Sequence, residues 1–186
     1  MTSQPMKPRV MVVDDNAANR TAFQSILEGA YTVHLADSGH VALQLSLNHE
    51  FALILLDVRM PLMDGFETAA LLRARERTRE TPIIFLSAYE LTVDQIKEAY
   101  VAGATDFLPS PVDQELLQFK VAAYVRLYLR NESIRAQLHH LESLVETLQV
   151  EANLRVGALE PSFKSKIDQL EGLIGGLHRQ LMTSVQ

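Results

Sequence analysis

The 186 residues suffice for one well-packed domain and a smaller appendage, but not for two full domains. A 47% hydrophobic and 22% charged content is that of an ordinary soluble protein, and a net charge of −6 argues against nucleic acid as the main partner, which needs a clustered basic face. With no cysteine, disulfides and thiolate metal sites are excluded, and a reducing compartment suits the chain.

Met1–Lys7 leads into strand-like sequence with no apolar signal core, and the longest apolar run, Phe51–Leu56, is too short to span a bilayer. Cytoplasm is the expected location, without membrane contact. Arg9–Val13 reads as a strand, followed by a helix from about Ala17 to Gly29, with Gly29 as C-cap. Tyr31–Ala36 is a second strand, and Asp37 or Ser38 caps a helix to about His49. Phe51–Leu56, apolar throughout, predicts a central parallel strand covered on both faces. Met60-Pro61 and Asp64-Gly65 bracket a loop before a helix over Phe66–Arg77. A strand over Pro82–Leu86, a helix over Leu91–Ala102 and a strand over Ala104–Leu108 follow, then a helix from Val112 or Asp113. Strand and helix alternating five times predict a parallel sheet with helices on both faces and right-handed crossovers. Ligands of such sheets gather at the carboxyl ends of the strands.

Those ends are polar. Asp14 and Asp15 end the first strand and Asp57 the third, so three carboxylates are expected to crowd one edge. Like charges that close raise one another's pKa and are tolerated best around a cation. An oxygen-only donor set favours Mg²⁺. The plainer alternative is that Asp14 or Asp15 merely caps the following helix. Ser87 ends the fourth strand and Ser110-Pro111 follows the fifth, where Pro111 suits a cis peptide bond in a tight turn.

The stretches Val12-Val13-Asp14-Asp15, Leu55-Leu56-Asp57-Val58-Arg59-Met60-Pro61-Leu62-Met63-Asp64-Gly65, Phe85-Leu86-Ser87-Ala88 and Gly103-Ala104-Thr105-Asp106-Phe107-Leu108 stand in a telling order and spacing. Together they make residues 7–127 resemble the receiver domain of two-component response regulators, the CheY-like family. The resemblance implies a flavodoxin-like α/β fold with strand order 2-1-3-4-5. It implies that Asp57 accepts a phosphoryl group from a phosphohistidine on a sensor histidine kinase. Asp15, Asp57 and the backbone carbonyl of Arg59 would bind Mg²⁺ directly, with Asp14 acting through a bound water. Ser87 matches the hydroxyl that bonds a phosphoryl oxygen, and Phe107 the aromatic residue that turns inward on switching. One position departs from the pattern: the family's lysine immediately before the proline after the fifth strand is Ser110 here. Serine offers a neutral hydrogen bond, about half as strong as a charge-assisted one. Lys120, along the next helix, is a poor substitute. Phosphoacceptor chemistry is expected to survive, while its coupling to Phe107 is weakened.

After Leu127 strand signals vanish, and residues 128–186 read as a helical dimerisation segment continuous with the preceding helix. A heptad register places Tyr124, Asn131, Leu138, Val145, Ala152 and Leu159 in one core row, and Leu127, Ile134, Leu141, Leu148 and Arg155 in the other. Leu144 widens the stripe. Packing on the chain's own first domain fails on length, because residues 128–157 extend ~45 Å as helix. A homodimer through residues 124–159 is therefore expected. A second helix starts near Pro161, with Phe163, Ile167, Leu170, Ile174, Leu177 and Leu181 at apolar spacing. Gly172, Gly175 and Gly176 weaken it by ~1 kcal/mol each relative to Ala. The two tail helices can double into a four-helix bundle in a dimer.

The sequence thus reads as a phosphoacceptor module with an unidentified downstream protein partner. It is not an enzyme beyond self-catalysed phosphotransfer and dephosphorylation. One alternative is a phosphorylation-independent scaffold, because of Ser110. Another is a phosphorelay intermediate using His140, although Leu138-His139-His140-Leu141-Glu142 lacks a phosphotransfer pattern and fits a solvated helix face.

Overall fold

A computed structural model describes residues 7–87, 93–156 and 161–183. Its contacts divide the chain into a unit ending at Tyr128 and a unit beginning at Leu129. The first unit holds five strands: β1 (Arg9–Val13), β2 (Thr32–Ala36), β3 (Leu53–Asp57), β4 (Ile83–Ser87) and β5 (Asp106–Pro109). They form one parallel sheet in the order β2-β1-β3-β4-β5. Helices α1 (Ala17–Leu27), α2 (Gly39–Asn48), α3 (Gly65–Arg73) and α4 (Val93–Val101) connect them, and α5 (Gln114–Val156) follows β5.

The period of two within each strand sorts the core into two layers. Met11, Val13, Ile54, Leu56, Ile83 and Phe85 face one side, packed with Ala42, Leu43, Ala69, Leu72 and Ala99 of α2, α3 and α4. Val10, Val12, Leu53, Leu55, Ile84 and Leu86 face the other, against Phe23 and Leu27 of α1 and Leu117, Val121 and Val125 of α5. β3 and β4 lie in the middle of the sheet, and their apolar residues are almost completely buried. Both apolar runs follow from burial on two faces.

Several boundaries differ from those expected. Glu28 closes α1 by donating its N–H to the Gln24 carbonyl, and among the described glycines only Gly103 has a positive φ, so Gly29 is not a left-handed cap. β5 starts at Asp106 rather than Ala104, because the Thr105 N–H bonds Ile83 ahead of the ladder. α3 stops at Arg73 rather than Arg77. Beyond it, the Arg75 guanidinium donates to Leu43 O at 2.6 Å and that of Arg77 to Leu47 O at 2.6 Å, so these side chains close the end of α2. The expected helix start at Leu91 lies outside the described residues.

In the second unit, α5 continues to Val156 and α6 spans Pro161–Thr183. Leu138 and Val145 of α5 are buried with Ile167 and Ile174 of α6, and Ile134 packs at their margin. The second heptad row behaves differently: Leu141 and Leu148 remain about half exposed. The expected single stripe is therefore split, one row being covered inside the chain. The side chains at 152, 155 and 163 and the whole of residue 159 lie outside the described residues. No helix among the described residues is long and apolar enough to cross a membrane.

Candidate functional site

Strand register brings the carboxylates together. Val13 pairs with Leu56, so the next residues along β1 and β3, Asp14 and Asp57, leave the sheet side by side. Asp14, Asp15 and Asp57 each present a carboxylate oxygen within 4.8 Å of the others. Asp14 is buried, Asp57 partly buried and Asp15 exposed. Burial is the main cause that raises the Asp57 pKa to about 6; the Arg59 N–H, 3.3 Å from Asp57 Oδ1, opposes it, and the neighbouring Asp14 and Asp15 add to it. Burial also raises Asp14, partly offset by hydrogen bonds from Asn16 and Asn19. In both carboxyls burial outweighs the repulsion between neighbouring aspartates as the cause of the upward displacement. Three carboxylate donors with no nitrogen or sulfur fit a hard divalent cation such as Mg²⁺.

The loop after Asp57 is held tightly. A Cβ on Gly65 would stand 2.3 Å from the Asp57 carbonyl oxygen and 2.8 Å from Val58 Cα, so only glycine lets α3 begin this close to β3. Gly65 N–H bonds Val58 O at 3.0 Å, and Asp64 caps α3 by accepting from Glu67 N–H at 2.8 Å. Leu62 has φ 69 and a fully exposed side chain, a left-handed conformation unusual for a non-glycine residue. Beside the acidic edge this loop lines a cleft of about 540 Å³ with Asp15, Arg59, Met60, Asp64 and Phe66.

Ser87 is buried at the end of β4, one residue beyond Leu86, the partner of Asp57. Its carbonyl accepts the Ser110 N–H at 2.6 Å. Ser110 is exposed between Pro109 and Pro111, and the Ser110–Pro111 peptide is cis. Phe107 is half-buried, its ring 6.0 Å from that of Phe85 and 5.4 Å, edge-on, from that of Tyr100. The Lys120 ammonium pairs with the Asp106 carboxylate, which also accepts from the Tyr124 hydroxyl at 3.2 Å and from Phe107 N–H at 2.8 Å. That engagement keeps Lys120 on Asp106. His139 lies beside Glu142 at 3.8 Å, on an exposed face of α5 in the second unit.

Sequence reading missed three residues. Asn16 N–H donates to Asp14 Oδ1 at 2.8 Å, Asn19 Nδ2 to Asp14 Oδ2 at 3.0 Å, and the Arg20 guanidinium to the Asp14 carbonyl at 2.7 Å. They orient Asp14 from the first turn of α1. The only signal was an amide five residues after a strand-end aspartate.

A family model for the response regulator receiver domain matches residues 10–122. The chain belongs to that family. Among solved structures, chemotaxis protein CheY4 of Vibrio cholerae is 31% identical with a TM-score of 0.61, covering 63% of this chain and 98% of that one. The receiver domain of a Pseudomonas aeruginosa sensor histidine kinase is 30% identical, with a TM-score of 0.59 over 64% of this chain and 98% of that one. That structure has a magnesium ion coordinated in its active-site cleft. Among curated proteins, the histidine-protein kinase BarA of Escherichia coli is 35% identical over 62% of this chain and 12% of its own length. The response regulator PleD of Caulobacter vibrioides is 34% identical over 70% of this chain and 29% of its own length. The chain therefore spans less than a third of either curated relative. It is a receiver domain of two-component systems, homologous both to response regulators and to the receiver portions of histidine kinases.

Proposed function

We propose that this receiver domain accepts a phosphoryl group on Asp57 from a phosphohistidine of a sensor histidine kinase in the cytoplasm. The observation that carries the reading is the convergence of Asp14, Asp15 and Asp57 within 4.8 Å at the carboxyl ends of β1 and β3. An Asp57 carboxylate oxygen attacks phosphorus in line; the bond from phosphorus to the donor imidazole nitrogen breaks, and that nitrogen leaves with the electron pair. Mg²⁺ held by Asp15, Asp57 and the Arg59 carbonyl, with Asp14 acting through water, would neutralise the phosphoryl oxygens. Asn16 and Asn19 fix both oxygens of Asp14, so its orientation needs no rearrangement when charge arrives. The Ser87 hydroxyl contributes a hydrogen bond to a phosphoryl oxygen. Output passes to a downstream protein through the helical tail, with residues 124–159 holding a homodimer whatever the state of Asp57.

A second reading has an observation of its own. Ser110 brings no cation to the phosphoryl group, and Lys120 is engaged by Asp106. Acceptance without a full Phe107 switch, up to a phosphorylation-independent scaffold, follows from that pair of facts. The test of acceptance is incubation with a small phosphodonor and Mg²⁺, read by intact mass. One phosphoryl group per chain is expected, abolished by Asp57→Asn or by chelation of divalent metal. Undiminished labelling of Asp57→Asn removes Asp57 as acceptor.

A further inference from the structure

α5 and α6 bury only part of the apolar surface they carry in the second unit. Gln149 Nε2 donates to Glu171 at 2.7 Å, and Val145 is buried with Ile174. Each pair is nearly equidistant from the connection at 157–160, so the two helices run antiparallel. The buried positions repeat with one offset: Leu138 corresponds to Ile167 as Val145 does to Ile174. The same offset relates a second row, Leu141, Leu144 and Leu148 on α5 to Leu170, Leu173 and Leu177 on α6. These six leucines are 46–65% exposed.

Two antiparallel helices with matching rows are related by an approximate two-fold axis perpendicular to their common plane. That axis leaves each face of the hairpin in place, so all six leucines lie on one side. Half-exposed leucines of this number offer on the order of 500 Å² per copy, or ~1,000 Å² in a pair, which reaches the lower bound for a specific interface. The face is also its own complement: turned about a two-fold axis, an identical hairpin meets it leucine for leucine. Three interior glycines leave α6 a weak helix by itself, so it depends on helix-on-helix packing.

We propose that a second copy of the chain occupies this face, the two hairpins forming a four-helix bundle. The proposal rests on the self-association reading of the tail and changes its geometry. Leu138 and Val145 stay within each chain; the intermolecular contact is made by the outer leucines instead of a two-stranded coiled-coil seam.

Sedimentation equilibrium of the full chain at micromolar concentration tests it. Wild type should be a dimer, and Leu148→Glu or Leu173→Glu should weaken association about 100-fold or more, since a symmetric interface contains each change twice. Both positions are exposed in the single chain, so far-ultraviolet circular dichroism should keep its helical signal. The chain has no cysteine, which allows a second measurement under oxidation. Val145→Cys with Ile174→Cys should form a disulfide within one chain, and Val145→Cys alone should form none between chains. A monomeric wild type overturns the self-association reading and this proposal together. A dimer indifferent to both glutamates, or cross-linked between chains through Val145→Cys alone, leaves self-association standing and overturns the proposed face.

Discussion

As the proposed acceptor, Asp57 carries two opposing demands: it would have to be ionised to attack phosphorus, yet its surroundings raise its pKa to about 6. A carboxyl raised in the folded state binds its proton more tightly there than in the unfolded chain. The contribution of Asp57 to metal-free stability therefore falls as pH rises between about 4 and 6, and stays reduced above that range. Asp57→Asn removes the cost. Metal-free Asp57→Asn should exceed wild type at pH 7 by about 1–2 kcal/mol, after allowance for solvent screening at a partly exposed group, and by little near pH 4. Urea unfolding across that pH range measures this, and Mg²⁺ should narrow the gap by binding wild type more tightly. A wild type that gains stability from pH 4 to 6 relative to the variant would contradict the assignment. Ser110 is tested by restoring the charge. Ser110→Lys should enlarge the chemical-shift response around Phe107 and α4 to a phosphoryl mimic, and an equal response in wild type would remove the weakened switch. At this scale the ionisable residues were legible, because carboxylates at strand ends are conspicuous. Asn16, Asn19 and Arg20 were not, since polar residues on a first helical turn look like ordinary solvated surface.

Between elements, Arg73 works as a clamp. Its guanidinium donates to the carbonyls of Gly103, Thr78, Arg79 and Thr81, at 2.6–3.1 Å. Burial pulls its pKa down to about 10, which still leaves it charged at neutral pH. These bonds tie the α3–β4 connection to the turn before β5, and hence to the strand that carries Phe107. Arg73→Met should cost about 2–4 kcal/mol in urea unfolding, because it removes hydrogen bonds to several mostly part-buried acceptors at once. Gly103→Ala should also destabilise: φ is +97, and a Cβ would stand 2.6 Å from the Arg73 side chain. Element type was readable where burial enforces a simple pattern, as in β3 and β4. Ends were harder. The extra turn expected of α3 failed because Arg75 and Arg77 are recruited by carbonyls of α2, a long-range demand that local helix propensity does not contain. β5 was placed early because Ala104 and Thr105 suit a strand but precede the ladder.

For the whole chain, the division near residue 128 separates two kinds of contact, sheet and helix layers on one side and helix on helix on the other. A chain ending at Leu127 should be a folded, monomeric receiver domain that retains phosphodonor labelling, as judged by sedimentation and intact mass. Loss of labelling there would mean that the tail contributes to the acceptor site. The heptad spacing announced the tail as association-prone, yet it did not say which row meets which partner. An apolar period is the same whether the neighbouring helix belongs to the same chain or another; the burial of Leu138 and Val145 on Ile167 and Ile174 supplies that distinction. The proposed acceptor is a single oxygen on a single residue, Asp57. Borohydride reduction of the labelled protein, followed by peptide mass spectrometry, converts an aspartyl phosphate to homoserine and so locates it. Homoserine at position 57 alone, formed only with divalent metal present, is the predicted result; a phosphoryl group found on His140, or homoserine at Asp14 or Asp15 with none at 57, would contradict it.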